Sequence, residues 1–234
     1  MDIYYRIIKL IFRVYQLILF QKCHVSGEYP VRPKQKILAG NHPNATDGFY
    51  LPDLFKEKIY FFVQGDLFNI PIIGWLFTKS GQIRVDPDNK RASLDRAVEL
   101  LKQGESVAIF PEARLNPDGQ PLKSSTGAVR LSLMTKVPII PFGFYVPPKN
   151  LQHLSRMKKG AVSQGHWQTH GQCYLHFGSP WSPRDETDAS LEQADLRGLT
   201  DQLMEKINDQ VQLAMQEYAK ETGLPVNVAS FNDH

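Results

Sequence analysis

Short apolar runs alternate with amphipathic segments through most of the 234 residues, and this alternation is the strongest constraint on the fold. Residues 59–63 (IYFFV) and 106–110 (SVAIF) are too short for helices and are rich in strand-forming side chains. Between them, 88–103 repeats apolar residues at helical spacing, and 190–221 does so near the C-terminus. Residues 147–170 show no such period and are predicted as loop. The pattern predicts an α/β fold.

The composition gives no support for several classes of protein. A formal net charge of +3 without a basic block argues against nucleic acid as a partner. Two cysteines, Cys23 and Cys173, make no disulfide framework and suit a reducing compartment. His166, His170 and His176 lie near Cys173 but lack the paired ligand spacing of a structural zinc site. We therefore predict no metal site in this segment.

The segment 3–20 (IYYRIIKLIFRVYQLILF) is apolar except for one polar stripe. The stripe consists of four polar residues, which are Arg6, Lys9, Arg13 and Gln16. Their spacings of 3, 4 and 3 place them on one face of a helix. At about 27 Å the helix is marginal for spanning a bilayer. Each central charge would also cost about 2.5–3.5 kcal/mol there. We expect residues 1–22 to form an amphipathic helix in the membrane interface, with packing on the protein body as the alternative.

The segment Asn41–Asp47 (NHPNATD) follows the strand-like run 36–40. Pro43 fits the first turn of a helix, so His42 is expected where a strand gives way to a helix. Asp47 lies five residues after His42, within reach of one imidazole nitrogen. This pair is typical of a general base with an orienting carboxylate, but taken alone it is more often a histidine that caps a helix or satisfies a neighbour.

Further charged residues follow other strand-like runs. Arg84 lies within 81–86, and Glu112 and Arg114 follow 106–110. In open α/β sheets ligands bind at the carboxyl ends of strands, where an arginine suits a phosphate or carboxylate. The alternative for each arginine is a surface ion pair with a nearby acid. The apolar segment 66–79 is either two short helices around a hydrophobic opening or ordinary core.

Over residues 25–180 the chain resembles the glycerolipid acyltransferase family in four motifs, in the same order. They are a His-x-x-x-x-Asp motif in Asn41–Asp47, a glycine-containing strand in Gly81–Asp86, a Phe-Pro-Glu turn in Phe110–Arg114, and the run Val137–Pro141. The resemblance implies a single acyltransferase domain, 23–234, with a mixed sheet flanked by helices and 190–221 as its C-terminal helix. It also implies attachment through an N-terminal element to the cytoplasmic face of a membrane, as a peripheral or monotopic protein.

By this resemblance, His42 is the general base and Asp47 its orienting acid. The implied donor is acyl-CoA or acyl-carrier protein, and the implied acceptor is a lysolipid hydroxyl, with 1-acylglycerol-3-phosphate expected first. Neither a metal nor another cofactor is expected. The implied acceptor-binding residues are Asn41, Arg84, Glu112, Arg114 and Lys123.

Three motifs depart from the family pattern near the acceptor. Val85-Asp86-Pro87 lacks an arginine that the family often has, Ala113 replaces a glycine, and Lys123 stands two places early. Another lysophospholipid, an amino-acid lysolipid or a different lipid alcohol is therefore an alternative acceptor. A lipid hydrolase is a further alternative, although the chain has no Gly-x-Ser-x-Gly elbow. A non-catalytic membrane-binding module is the remaining one, and it predicts no dependence on His42.

Overall fold

The computed structural model describes residues 2–30, 35–116, 123–158, 161–185 and 195–224, with the backbone alone for 153–158 and 161–164. Its strands are β1 (Gln21–Gly27), β2 (Ile37–Gly40), β3 (Ile59–Gln64), β4 (Ile83–Val85), β5 (Ser106–Ile109), β6 (Ile139–Tyr145), β7 (Leu151–Lys158), β8 (Ala161–Gln168) and β9 (Gly171–Phe177). Its α-helices are α1 (Ile3–Ile18), α2 (Leu51–Leu54), α3 (Ile73–Lys79), α4 (Lys90–Lys102), α5 (Gly127–Thr135) and α6 (Leu196–Thr222).

Seven of the described strands form one sheet in the order β1-β9-β6-β2-β5-β3-β4. The strands from β6 to β4 run parallel to one another, whereas β9 is antiparallel to β6 and pairs in parallel with β1. The prediction of an α/β fold with a mixed sheet is therefore confirmed. Because β2 and β5 are parallel neighbours, the segments that follow them meet at the same edge of the sheet.

Helices cover both faces of this sheet. Along β2, Ile37 and Ala39 pack with α4, α5 and α6, while Leu38 packs on the opposite face with α2 and the aromatic side chains of β6 and β9. This alternation follows from the two-residue period of a strand. Asp195 caps the start of α6, and Gly223 ends it with a φ of 68°. The predicted start of this helix at 190 lies outside the described residues.

The prediction of loop for 147–170 is wrong. Strands β7 and β8 pair as an antiparallel ribbon from Leu151↔Gln168 to Lys158↔Ala161. The base of the ribbon is held by Gln168, a fully buried side chain that accepts a hydrogen bond from the Tyr50 hydroxyl at 2.9 Å. These contacts join segments far apart in the chain, which explains why local periodicity did not indicate the ribbon.

The two cysteines lie closer than their separation in sequence indicates. Cys23 on β1 and Cys173 on β9 are register partners in the parallel ladder, and both are free thiols. Burial raises the pKa of the Cys173 thiol well above its usual range, and the neighbouring Cys23 raises it further. Cys173 therefore behaves as a small core residue rather than a reactive thiolate.

Helix α1 packs against the body through one face. Asp2 caps its first turn by accepting a hydrogen bond from the Tyr5 backbone, and its buried side chains are Tyr5, Ile8 and Phe12. Two members of the predicted polar stripe bind the body: Lys9 donates to the Phe55 carbonyl at 3.2 Å, and Gln16 donates to the Phe49 carbonyl at 3.0 Å. The packing alternative therefore holds for this face, whereas Arg6 and Arg13 are exposed.

Within the described ranges, no helix combines the length and apolar character needed to cross a membrane.

Candidate active site

The loop after β2 positions the predicted base and acid. The helix expected at Pro43 begins later, as a 3-10 helix at Asp47–Phe49. The reason is local, because the Asn44 side-chain oxygen accepts hydrogen bonds from the Thr46 backbone at 2.8 Å and from its hydroxyl at 2.6 Å. Such an Asx turn competes with helical hydrogen bonding and holds the chain in a tight loop. His42 therefore lies in a loop rather than at the start of a helix.

His42 and Asp47 are in contact in this loop. The His42 Nδ1 atom lies 3.2 Å from an Asp47 carboxylate oxygen, and the imidazole stacks on the Phe110 ring with 4.3 Å between centroids. The Asp47 side chain is fully buried, whereas 23% of the His42 side chain is exposed. With Nδ1 directed at Asp47, the second ring nitrogen is the one left for a substrate.

Asn44 supports the acid, and the sequence motifs did not single it out. Its backbone N–H donates to Asp47 at 2.8 Å, and its side-chain amide donates to the other carboxylate oxygen. Burial raises the pKa of the Asp47 carboxyl above its usual range, while the contacts with His42 and Asn44 lower it in part. These donors favour the ionised carboxylate that the His42 ring faces.

The raised pKa of Asp47 predicts a pH-dependent stability. Folded Asp47 binds its proton more tightly than the unfolded residue, whose pKa is about 3.9. The free energy of unfolding should therefore fall as pH rises from about 4 to the raised pKa. Urea unfolding of the wild type and Asp47→Asn across this range should show a smaller decrease in the variant. Parallel curves for the two proteins would contradict the raised pKa.

Glu112 and Asn116 hold the backbone of His42. One Glu112 carboxylate oxygen accepts the His42 N–H at 3.2 Å, and the other accepts the Asn116 side-chain amide at 3.2 Å. The Asn116 N–H donates to the His42 carbonyl at 2.8 Å. Burial raises the pKa of the Glu112 carboxyl, and the bonds from Asn116 and His42 oppose that shift. This geometry makes Glu112 a positioning residue for His42, and its contact with an acceptor stays a prediction.

Asn41 links the ends of two strands. Its side-chain amide donates to the Phe144 carbonyl at 2.9 Å, and its side-chain oxygen accepts the Phe144 N–H at 2.7 Å. The amide thus continues the pairing of β2 with β6 beyond Gly40. This bidentate contact fixes where His42 leaves the sheet. A role of Asn41 in acceptor binding stays a prediction.

The three predicted cations lie at different places around the site. Arg84 is on the edge strand β4, three strand spacings or about 14 Å from β2. Its guanidinium lies 5.5 Å from the Phe68 ring centroid and pairs with Asp86 at 3.0 Å. Arg114 and Lys123 are exposed. The fold therefore brings together Asn41, His42, Asp47 and Glu112 and places Arg84 at the edge of the sheet.

Ala113 has a φ of 57°, in the left-handed region, where the family often has glycine. An alanine in this conformation destabilises the folded state by roughly 1–2 kcal/mol. This is partly offset because alanine loses less backbone entropy on folding than glycine does. Ala113→Gly should therefore stabilise the protein by about 0.5–1 kcal/mol in urea unfolding. Ala92→Gly is a matched control, because Ala92 is also exposed but lies in α4, where glycine should destabilise by about 1 kcal/mol. A lower free energy of unfolding for Ala113→Gly would contradict the inference that the Ala113 backbone is strained.

Comparisons with known proteins agree with this architecture. A model of the acyltransferase family matches residues 22–145, more than half of the chain. The chain is 32% identical over 52% of its length to a chloroplastic 1-acyl-sn-glycerol-3-phosphate acyltransferase of Arabidopsis thaliana, of which the match covers 35%. It is 33% identical over 52% of its length to the Bacillus subtilis 1-acyl-sn-glycerol-3-phosphate acyltransferase, of which the match covers 62%. The chain thus spans less than two thirds of either relative.

A solved structure has the same fold. The crystal structure of the 1-acyl-sn-glycerophosphate acyltransferase PlsC from Thermotoga maritima aligns with a TM-score of 0.62 at 20% identity. The alignment covers 88% of this chain and 78% of PlsC. This likeness shows the shared fold, and the match of the family model over more than half of the residues establishes that the chain belongs to the acyltransferase family.

Proposed function

We propose that the chain is a membrane-associated O-acyltransferase of phospholipid biosynthesis. It moves a fatty acyl group from acyl-CoA or acyl-carrier protein to the hydroxyl of a lysolipid, with 1-acylglycerol-3-phosphate as the first expected acceptor. The single observation that supports this most is the contact of a half-buried His42 with a fully buried Asp47 at the carboxyl edge of the sheet. The names of the relatives support the choice of acceptor.

In the proposed mechanism the free nitrogen of His42 removes the proton from the acceptor hydroxyl. The resulting oxygen nucleophile attacks the thioester carbonyl and forms a tetrahedral intermediate. The carbon–sulfur bond then breaks, and the imidazolium returns the proton to the departing thiolate. Asp47 keeps the ring in one tautomer and stabilises its charged form. The products are an ester and a free thiol, and no acyl-enzyme is formed.

The first expected acceptor carries a phosphate group, which needs positively charged partners on the protein. Arg84, Arg114 and Lys123 supply positive charge around the site, and arginine is well suited to a phosphate group. The departures at Asp86 and Ala113 keep another lysophospholipid, an amino-acid lysolipid or a different lipid alcohol as alternatives. An acidic carrier protein remains a proposed partner as an alternative donor to acyl-CoA.

The exposed face of α1 supports the proposed attachment to the cytoplasmic face of a membrane. This face carries a run of exposed apolar side chains, which are Ile3, Ile7, Leu10, Val14, Leu17 and Ile18. Arg6 and Arg13 are also exposed and border this run on the helix. An apolar face bordered by cations is typical of a helix that lies in the interface and contacts anionic headgroups.

The reaction is tested by following the donor and the acceptor together. The protein in detergent micelles is incubated with long-chain acyl-CoA or acyl-carrier protein and a panel of lysolipids that includes 1-acylglycerol-3-phosphate. We expect one acylated lipid for each thiol released, with 1-acylglycerol-3-phosphate as the preferred acceptor. Thiol release without an acylated lipid would instead favour the hydrolase. Equal rates for all lysolipids would contradict the preferred acceptor.

A further inference from the structure

The turn before α3 holds a β-branched residue in a rarely occupied backbone conformation. Ile72 has a φ of 66° and a ψ of −61°, and the Ile73 N–H donates to the Pro71 carbonyl at 2.7 Å. This is the γ-turn with a positive central φ, which is strained and uncommon even without a branched side chain. Backbone strain of this kind is concentrated at functional sites, which indicates that the turn at Ile72 has a function beyond connecting two elements.

Close contacts between Gly74 and the segment before the turn maintain this conformation. Gly74 lies so close to the preceding 3-10 helix (Gly65–Asn69) that an added Cβ would be 2.0 Å from the Phe68 carbonyl oxygen. The Gly74 N–H also donates to the Ile70 carbonyl at 2.8 Å. The backbone of the turn therefore has little room to relax.

The strained turn presents apolar side chains to solvent. The exposed fractions are 70% for Ile72, 53% for Trp75, 44% for Ile70 and 39% for Leu67. A loop that only connected two elements would gain nothing from a strained, exposed isoleucine at its tip. Exposed apolar groups in one contiguous patch indicate an interaction surface.

This patch is continuous with the exposed face of α1. Helices α1 and α3 pack together through Ile8, Phe12 and Leu76, and the Tyr4 ring meets the Trp75 ring edge-on at 5.3 Å between centroids. Of the fifteen exposed large hydrophobic residues in the described ranges, seven lie in 3–20 and four in 67–75. The exposed apolar surface of the protein is thus concentrated on these two neighbouring elements.

Cations border the combined patch. Arg6 and Arg13 are exposed on α1, Lys79 is exposed in the last turn of α3, and the Arg84 guanidinium lies over the Phe68 ring at 5.5 Å. An apolar centre with a basic border is complementary to a bilayer that contains anionic phospholipids. The same arrangement fits a soluble protein partner poorly, because protein interfaces lack an extended acyl phase for a protruding aliphatic tip.

We propose that Ile70–Trp75 is a second lipid-inserting element, which enters the same bilayer surface as α1. This inference rests on the proposed membrane association and extends it from one helix to two contact points. Two contact points hold the domain in one orientation on the membrane more firmly than the outer face of α1 does alone. The edge of the sheet that carries His42 is thereby held at a constant angle to the bilayer.

The test measures partitioning onto extruded vesicles of phosphatidylcholine and phosphatidylglycerol. Ile72→Asp should lower the partition coefficient at least tenfold, because it removes the aliphatic group proposed to enter the lipid and adds a charge of the same sign as the lipid. Leu213→Asp is the matched control, since Leu213 is exposed on α6, away from the patch, and its replacement should leave partitioning unchanged. Brominated lipids should quench fluorescence in the wild type, and Trp75→Phe should remove most of that quenching.

Ile72→Gly separates this role from a structural one. Glycine accepts the positive φ without strain, so the variant should unfold at a higher temperature than the wild type. It should nevertheless partition onto vesicles several-fold more weakly, because the side chain that enters the lipid is gone. Wild-type partitioning by both Ile72 variants would overturn the inference, as would quenching that Trp75→Phe leaves intact. Acyl transfer by the wild type in micelles tests the proposed function separately from these vesicle measurements.

Discussion

His42→Ala is expected to lower kcat for acyl transfer by about 10²–10⁴-fold, the usual contribution of a positioned general base. The ring nitrogen that faces the acceptor is lost, and neither Asp47 nor Glu112 can replace it. Asp47 is fully buried, and both oxygens of Glu112 accept hydrogen bonds from protein groups. The measurement is the initial rate of acylated lipid formation in micelles at saturating donor.

His170→Ala is the matched control for this substitution. The His170 ring is exposed and contacts the neighbouring Thr169 hydroxyl at 3.1 Å, so its loss should leave the rate unchanged. Vesicle partitioning of His42→Ala should stay near wild type, because His42 does not lie on the exposed face of α1. Transfer that survives His42→Ala would contradict the mechanism and favour a different base.

Replacing Leu10, Val14 and Leu17 together by serine is expected to release the protein from vesicles. Each of these side chains is exposed on α1. Full burial of such a side chain in an apolar phase stabilises binding by roughly 1.5–3 kcal/mol of transfer free energy. A combined loss of about 5 kcal/mol corresponds to a fall in the partition coefficient of more than 10³-fold. Flotation of the protein with anionic vesicles measures this directly.

Surface substitutions test membrane attachment through α1 with less damage to the fold than removal of residues 1–22 would cause. Such a truncation would cut into β1 at Gln21 and uncover Phe49, whose ring stacks on Phe12 at 4.1 Å between centroids. The triple serine variant leaves both contacts in place, so its unfolding midpoint should stay near wild type. Met134 and Leu213, which are exposed elsewhere, provide a control pair for replacement by serine. Undiminished flotation of the triple variant would place the membrane contact away from α1.

The contact between Phe12 and Phe49 would also connect the proposed membrane binding to the loop that carries His42 and Asp47. Phe49 closes the 3-10 helix that begins at Asp47, and Tyr15 meets its ring edge-on at 5.5 Å between centroids. Helix α1 is therefore packed directly on the segment that carries the acid. A helix held in the membrane interface by its outer face would keep the acid and His42 at a defined distance from the lipid phase.

Local features of the sequence were enough for the main helices and strands and for the contact between His42 and Asp47, but not for the ribbon of β7 and β8. The apolar period of α4 and α6 and the alternation of Ile37, Leu38 and Ala39 follow from repeats of a few residues, which a sequence displays directly. The five-residue spacing of His42 and Asp47 is also local, so their contact was predictable. Even there, the Asx turn at Asn44 moved the start of the helix, because a side chain competed with the backbone for hydrogen bonds.

Only the tertiary structure decided the surroundings of the pair. Glu112 reaches His42 across 70 residues and Asn41 reaches Phe144 across 103, because β2 lies between β5 and β6 in the sheet. Strand order likewise places Arg84 at an edge, away from His42. Such positions depend on which strands pair, and pairing is set by packing over the whole core rather than by any local repeat. The proposed base and its acid could therefore be read from seven residues, whereas the residues that hold His42 and the exposed apolar surface of α1 and α3 emerged only from the folded chain.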